Sequence, residues 1–326
     1  MYRKLGEGRL ATGEPVQLGV VEAPDEDWVD RVCQFLVHKG GDWNYHIRQA
    51  LVGPLDELVT HFYVATVEEQ VVSHVMISGA RGTAILGHVF TAPAWRQRGA
   101  YRQLMAAQMA DLGRLGLQIL TLGTGYDSHP YWIYQSFGFR PVASNSGLMK
   151  WLAMPDAEER YLAPSEADVR ALRWDDWAAL NLLSLRPVAA DDALPRLPAL
   201  GLKGQQSAEG PFLAFMRRFR RMSNAQGRVL QSASGAVAGW ALLLPDARWF
   251  GDAWLLDVGL LPAFAPYRNA LTADLPWPDA PVYSLTTANG SRAEWLQGLG
   301  FRHLSTLPRW LVREGQRQDL QMWVRG

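Results

Sequence analysis

The chain has few of the features that mark secreted, disulfide-bonded or membrane proteins. It contains a single cysteine, Cys33, among 326 residues, so an internal disulfide is excluded. Its most apolar internal run, AVAGWALLLP, is too short to span a bilayer, and MYRKLGEGRLATGEP at the N-terminus lacks the apolar core of a signal peptide. These absences predict a soluble, cytoplasmic protein.

Several ligand-binding motifs are also missing. The seven histidines are scattered, and no HExxH or CxxC spacing occurs, so we expect no metal. GxSxG, GxxxxGK[ST] and GxGxxG are absent, which leaves hydrolase, nucleotide-triphosphatase and dinucleotide interpretations without a motif. The 32 basic and 32 acidic residues cancel, which argues against nucleic acid or an anionic membrane as partner. A small-molecule or peptide partner fits better, bound by a monomer or homodimer.

The length and hydrophobic patterning predict two domains built in a similar way. A chain of 326 residues with 48% hydrophobic content exceeds the usual size of one core. The first half reads β, α, α, β, β, β, α, β, α, with a long helix over DEDWVDRVCQFLVHKG that Asp25 caps and Gly40-Gly41 ends. Cys33 falls on the apolar face of this helix, which favours a core thiol. A hairpin turn is predicted at Glu68-Glu69-Gln70.

The second half repeats segments of the first in the same order. HVFTAPAW (88–95) matches DVGLLPAF (257–264), ILTLGTGYDS (119–128) matches VYSLTTANGS (282–291), and YQSFGFR (134–140) matches LQGLGFR (296–302). The distance from Pro93 to Gly138 exceeds that from Pro262 to Gly300, so the second copy has lost about two helical turns. The polar stretch MPDAEERYLAPSEAD suits a linker between the copies.

The stretch WRQRGAYRQLM (95–105) follows a strand and begins a helix with an apolar face. The first turn of a helix leaves backbone N–H groups unpaired, and its dipole favours an anion there. Gly99 lets the backbone approach a ligand closely, and nearby arginines add positive charge, which suits the pyrophosphate of coenzyme A. The alternative is an ordinary strand-to-helix turn with solvated arginines.

With Pro93 before it and the segment Tyr134-Gln135-Ser136-Phe137-Gly138-Phe139 after it, this loop resembles the GCN5-related N-acetyltransferase (GNAT) superfamily. The resemblance implies an α/β fold of two tandem domains, each a mixed, mostly antiparallel central sheet flanked by helices. It places a GNAT domain at 15–155, a linker at 156–165 and a degenerate copy at 166–315. Acetyl-CoA is the implied cosubstrate, and its implied binding residues are Val89, Phe90, Thr91, Arg96, Gln97, Arg98, Gly99, Ala100, Tyr101 and Arg102. Tyr101 stands where the family prefers glycine or alanine, so its side chain must point away from the phosphates.

The resemblance also implies catalytic roles. Tyr134 corresponds to the general acid that protonates the leaving thiolate, although it could be a core aromatic. The strand AILGHVFT has no glutamate, so His88 is its one candidate base, with a structural role as the alternative. The second copy has Leu296 at the position of Tyr134 and no glycine in its loop at 265–271, and therefore looks inactive.

The implied acceptor side lies over GGDWNYHIRQ, and two further candidates follow the strand LQILTLGT. Its candidate substrate-binding residues are Asp42, Trp43, Tyr45, His46, Tyr126 and Asp127. A loop filled with aromatics for stability is the alternative for the first four, and capping of the SHPYWIY helix is the alternative for Asp127. The basic run MRRFRRM (216–222) fits a solvated helix face better than a phosphate contact.

The resulting hypothesis is an acetyl-CoA-dependent N-acetyltransferase that moves an acetyl group to a primary amine of a small molecule or peptide by direct attack. The alternatives are a non-catalytic acyl-CoA-binding sensor or scaffold, and a peptide-interaction module built from two such folds.

Overall fold

A computed structural model describes residues 1–186, 197–202, 205–246, 248, 252–287, 291–313 and 316–326. The chain forms two compact units. Unit 1 consists of Met1–Arg160 and Arg173–Asn181, and unit 2 consists of Tyr161–Leu172 and Leu182–Gly326. Among the described helices, none combines the length and the hydropathy that a bilayer crossing requires.

Unit 1 is an eight-stranded sheet in the order β1-β2-β3-β4-β5-β6-β8-β7. Its strands are β1 (Tyr2–Arg9), β2 (Pro15–Glu22), β3 (Val59–Val67), β4 (Gln70–Ala80), β5 (Thr83–Thr91), β6 (Ile119–Gly123), β7 (Arg140–Pro141) and β8 (Leu148–Leu152). Its helices are α1 (Val29–Phe35), α2 (Gly41–Val52), α3 (Ala100–Asp111), α4 (His129–Ser136) and α5 (Ala157–Tyr161), the last of which ends at the first residue of unit 2. Neighbouring strands are antiparallel except β5 and β6, which are parallel.

The two faces of this sheet carry different helices because side chains alternate along each strand. Tyr63 and Ala65 of β3 contribute to a buried cluster that includes Leu104 and Met105 of α3. On the opposite face, Phe35 of α1 contacts Phe90 of β5, with ring centroids 5.2 Å apart. The sheet therefore separates α3 and α4 from α1 and α2.

Unit 2 has a seven-stranded sheet in the order β14-β15-β13-β12-β11-β10-β9. Its strands are β9 (Ala167–Ala171), β10 (Gln226–Ser232), β11 (Val237–Pro245), β12 (Trp254–Leu260), β13 (Val282–Thr287), β14 (Arg302–Arg313) and β15 (Gln316–Arg325). Its helices are α7 (Glu209–Phe219), α8 (Arg268–Thr272) and α9 (Ser291–Gly298), while α6 (Trp177–Ser184) spans the change from unit 1 to unit 2.

The two sheets have the same strand order, as the sequence repeat predicts. Strands β2-β3-β4-β5-β6-β8-β7 of unit 1 correspond in order to β9-β10-β11-β12-β13-β15-β14 of unit 2. The parallel pair β5–β6 therefore corresponds to the parallel pair β12–β13. The connecting helix has 12 residues in α3 and 5 in α8, which confirms the predicted loss of about two turns. Residues 288–290 of the matched segment 282–291 lie outside the described part of the chain.

The structure corrects several expectations about the first 40 residues. The sequence patterns gave no sign of β1, which pairs with β2 along its length. The single long helix predicted after Asp25 is wrong, because the segment forms a short 3-10 turn, the 7-residue α1 and a second 3-10 turn. Asp25 makes no side-chain cap, and Cys33 is half-buried. The hairpin turn is confirmed, since β3 ends at Val67 and β4 begins at Gln70.

Candidate active site

A cleft opens in unit 1 where β5 and β6 part. The ladder between these strands pairs Thr83 with Ile119, Ala84 with Leu120 and Ile85 with Thr121, and then ends. β5 continues to Thr91, whereas β6 ends at Gly123 and keeps its pairing with β8. Because each residue of an unpaired strand edge carries a backbone donor and acceptor, this edge can bind an extended ligand by its main chain.

A bulge in β5 sets which residues face the cleft. His74 of β4 pairs with Phe90 and Met76 pairs with Gly87, so a single residue of β4 opposes both His88 and Val89. Within the bulge, His88 adopts a left-handed conformation with a φ of 51°. Such a conformation in a residue other than glycine is costly and clusters at functional sites.

The bulge also reverses the side-chain alternation. Leu86 and Val89, three residues apart, both pack against the cluster under α3. His88 instead lies on the opposite face, where its ring contacts Trp43 edge-on at 4.7 Å. Strict alternation along β5 would have put His88 on the side of Leu86.

The turn after β5 exposes backbone at the start of α3. Gly99 precedes the helix with φ 87° and ψ −2°, no side chain caps the helix, and Gln97 is also left-handed with φ 61°. A Cβ placed at Gly99 would have Gln103 Nε2 at 3.8 Å as its nearest neighbour, so the space above this glycine is open. The unpaired N–H groups of the first helical turn and the helix dipole together favour an anion here.

The arginines of the turn differ in how they are held. Arg96 Nε donates to the Thr91 carbonyl at 3.2 Å, and Arg98 Nη1 forms a 2.9 Å ion pair with Glu14 Oε1. The Arg98 guanidinium also lies 4.9 Å from the centre of the Trp95 ring. Arg102 is exposed on the first turn of α3. The rim of the turn is positive, although the charge of Arg98 is partly neutralised by Glu14.

Two tyrosines meet beneath this turn. Tyr134 of α4 is 5% exposed, and its ring lies edge-to-face with Tyr101 at a centroid distance of 6.3 Å. Burial, together with the charge of Tyr134 and a hydrogen bond to it, raises the pKa of Tyr101. Tyr101 packs against the α3 cluster and so points inward, away from the exposed backbone of the turn.

Comparison with known proteins identifies this region. Residues 59–141 match the family model described as an acetyltransferase (GNAT) domain. Unit 1 contains a GNAT domain. No curated protein matches the chain at a significant level.

Several solved structures resemble the chain at low identity. One is yncA from Salmonella typhimurium, solved with its cofactor acetyl-CoA (17% identity, TM-score 0.40, 49% of this chain and 92% of that one). Others are a GNAT phosphinothricin acetyltransferase from Sinorhizobium meliloti (15%, TM-score 0.40, 49% and 87%) and a GNAT-family acetyltransferase from Streptococcus pneumoniae (14%, TM-score 0.37, 49% and 98%).

The predicted acceptor-side residues of the GNAT domain fall into two groups. Trp43 and His46 on α2 face His88, with the ring centroid of His46 6.2 Å from that of His88. Asp42 and Tyr45 are half-buried on the same helix. The structure therefore brings His46 and Trp43 together with the candidate base.

The other two candidates lie in the turn before α4. Tyr126 is 50% exposed and contacts Tyr131 edge-on. The capping alternative for Asp127 is wrong, because Ser128 is the N-cap and accepts a hydrogen bond from the Tyr131 amide. The Asp127 carboxylate instead accepts from the Trp132 indole at 2.9 Å.

Two groups that complete this site were not predicted from the sequence. Lys39 Nζ donates to the Val89 carbonyl at 3.1 Å, beside the bulge. The segment Arg173–Asn181 belongs to unit 1, where its Trp177 ring lies 4.8 Å from His46. Buried ion pairs from Arg81 to Asp175 and Asp176 hold this segment. Because His46 and Trp177 are more than a hundred positions apart, hydrophobic periodicity in the sequence gives no indication of their contact.

Burial favours the neutral form of three neighbouring histidines, His46, His74 and His88. Burial lowers the pKa of His46 to about 3 and that of His74 to about 4. Burial lowers the pKa of His88 well below its usual value, and His46, His74 and Lys39 lower it further. Among the described residues, none provides a hydrogen-bond partner for Nε2 of His88 or for either ring nitrogen of His46.

This cluster predicts acid sensitivity. The unfolded chain protonates these histidines below about pH 6.5, whereas the fold keeps them neutral, so the unfolded state binds more protons as the pH falls. We expect the free energy of unfolding of the GNAT domain to drop between about pH 6.5 and pH 4, by about 1–2 kcal/mol each for His46 and His74 at pH 5. Urea denaturation at pH 7.5 and at pH 5 measures this drop in the free energy of unfolding.

A matched pair of variants isolates the effect. His46→Phe keeps an aromatic ring against Trp177 and should reduce the pH dependence by the share of His46, whereas His129→Gln, at an exposed position of α4, should leave it unchanged. An equal pH dependence in wild type and His46→Phe would contradict the assignment.

Proposed function

We propose that the GNAT domain transfers the acetyl group of acetyl-CoA to a primary amine of a small molecule or peptide by direct attack. The observation that carries the proposal is the conjunction of an open strand edge at β5 with the uncapped, left-handed Gly99 turn at the start of α3. An extended thioester arm fits the edge, and the pyrophosphate fits the turn. No metal is required by this chemistry.

The cosubstrate site in this proposal consists of the residues predicted from the loop and strand. Val89, Phe90 and Thr91 would bond the arm through their backbones. The N–H groups from Gln97 to Arg102 would bind phosphate oxygens, with Arg96 and Arg102 adding charge at the rim. The inward position of Tyr101 supports this, because its side chain leaves the backbone N–H groups accessible.

The reaction needs one proton donor and one acceptor. The amine nitrogen attacks the acetyl carbon, the carbon–sulfur bond breaks, and the thiolate takes a proton from the Tyr134 hydroxyl. The attacking amine loses a proton to His88, directly or through water. The unpartnered Nε2 of His88 supports this role, and its lowered pKa makes it a neutral but weak acceptor at pH 7.

In this proposal, acetyl transfer takes place in unit 1. A GNAT domain at 15–155 is active, 156–165 connects it, and 166–315 is a degenerate copy. The loss of the Gly99 turn in the second copy and Leu296 at the position of Tyr134 support this division.

A screen for free thiol tests the proposal. Purified protein, acetyl-CoA and a panel of primary amines, including polyamines, amino acids and short peptides, are mixed with a thiol-reactive dye. We expect at least one amine to raise thiol release well above the rate without amine. Acetyl-CoA binding without transfer to any amine would favour the sensor or scaffold alternative instead, in which burial of His88 leaves no effective base.

A further inference from the structure

A lysine ammonium lies beside the β5 bulge of unit 1, and the proposed reaction leaves it without a role. Lys39 is half-buried, and its Nζ donates to the Val89 carbonyl at 3.1 Å. It is the last residue of the 3-10 turn between α1 and α2. The preceding His38 packs on Phe90, with ring centroids 4.0 Å apart, which holds this turn against β5. The lysine therefore reaches β5 from the side of the sheet that carries α1 and α2.

The backbone of β5 shows on which edge of the strand this ammonium lies. The Ala92 amide donates to the Val72 carbonyl of β4 at 3.0 Å. Because every second residue of an antiparallel strand bonds its partner strand, Phe90 also directs its N–H toward β4. A trans peptide places C=O and N–H on opposite sides, so the Val89 carbonyl points away from β4 and into the cleft where β5 and β6 part. The Lys39 ammonium consequently lies in the cleft.

The same edge of β5 leads to the turn proposed to bind the pyrophosphate. The Thr91 carbonyl, two residues after that of Val89, accepts from Nε of Arg96 in this turn at 3.2 Å. At the other end of the open edge, His88 directly precedes Val89. A thioester arm that follows β5 from Thr91 toward His88 would bring its carbonyl group beside the Lys39 ammonium.

The charge of Lys39 acts on the imidazoles around the bulge. Burial is the main cause of the lowered pKa of His88 and of His74, and the Lys39 ammonium lowers both further. A positive charge that disfavours a second positive charge on these rings favours a negative charge placed at a similar distance. The sign of this field therefore suits an oxyanion that forms beside His88.

We infer that Lys39 is a further catalytic residue, whose ammonium stabilises the negative charge that develops on the thioester oxygen; this inference rests on the acetyl transfer proposed above. When the amine attacks the acetyl carbon, the π electron pair of the carbonyl moves to the oxygen, and the oxyanion forms beside the ammonium. The carbonyl re-forms as the carbon–sulfur bond breaks, and Lys39 keeps its proton throughout. A fixed charge aimed at developing charge is among the strongest sources of rate enhancement in enzymes.

Infrared spectroscopy of bound acetyl-CoA, labelled with ¹³C at the acetyl carbonyl, tests this inference without turnover. A cation beside the oxygen weakens the C=O bond, so we expect the carbonyl stretch at a lower wavenumber in the wild-type protein than in Lys39→Gln. Lys39→Arg keeps the charge and should stay close to wild type. Glutamine still offers an N–H to the Val89 carbonyl, so a purely structural role predicts equal spectra for Lys39→Gln and wild type. Arg48→Gln, which removes an exposed cation from α2, should leave the spectrum unchanged.

Steady-state kinetics with the best amine from the thiol screen provide a second readout. We expect Lys39→Gln to lower kcat by about 10²-fold with acetyl-CoA affinity nearly unchanged, and Lys39→Arg to recover much of the loss. A carbonyl stretch or a kcat that Lys39→Gln leaves unchanged would overturn the inference. If the wild-type protein acetylates no amine, the proposed function fails, while the infrared comparison still decides whether Lys39 polarises the thioester. An absence of acetyl-CoA binding would overturn both.

Discussion

Replacing Tyr134 with phenylalanine is expected to lower kcat by about 10²- to 10⁴-fold while leaving acetyl-CoA affinity nearly unchanged. The substitution removes the proton that the leaving thiolate requires. It keeps the ring, which packs edge-to-face against Tyr101 and Phe139. Steady-state kinetics with the best amine from the thiol screen, together with calorimetry of acetyl-CoA binding, separates the two effects.

Two further tyrosines provide controls for this variant. Tyr131 lies on the same helix, is 4% exposed and accepts a hydrogen bond from Gln135, so Tyr131→Phe removes a comparable hydroxyl away from Tyr101. Tyr101→Phe removes the hydroxyl that bonds Tyr134 while keeping the acid itself. Both should retain most of the turnover. Full turnover in Tyr134→Phe would contradict the proposed general acid and would show that Tyr134 is a core aromatic.

Gly99→Ala is expected to weaken acetyl-CoA binding by about tenfold or more. The new methyl group would stand over the N–H groups proposed to bind the pyrophosphate, and hydrogen bonds to charged groups contribute about 1.5–3 kcal/mol each. The φ of 87° would also be strained with a Cβ present. Calorimetric titration with acetyl-CoA measures the loss.

Gly116 separates the strain from the binding effect. It is left-handed, with φ 62°, ends the 3-10 turn that follows α3, and has open space where a Cβ would stand. Gly116→Ala should therefore cost a similar amount of stability and leave acetyl-CoA affinity intact. Equal losses of affinity in both variants would mean that destabilisation, rather than the turn, causes the effect.

Local signals predicted the elements that surround the site. The two-residue turn at Glu68 and Glu69 lies where alternating strands meet, and both residues adopt the left-handed φ that such a turn requires. The repeat predicted the matching strand orders and the short α8 without any contact information. The glycine turn before α3 was visible because Gly99 stands between a strand pattern and an apolar-faced helix pattern in a loop that resembles the GNAT signature.

Other parts of the site depend on contacts that local patterns do not carry. The β5 bulge moves His88 to the face of Trp43, and an alternating sequence gives no indication of an extra residue. The return of Trp174 and Trp177 to unit 1 rests on ion pairs between Arg81 and residues almost a hundred positions later. The predicted first helix breaks at Leu36, where φ −102° and ψ 10° depart from helical values although the apolar period continues past it.

Calorimetric titration of the intact protein with acetyl-CoA tests the central claim most directly. The account predicts one site per chain, in unit 1, with binding weakened by Gly99→Ala and unaffected by Gly116→Ala. No detectable binding would contradict it, as would two sites per chain or a single site that Gly99→Ala leaves unchanged.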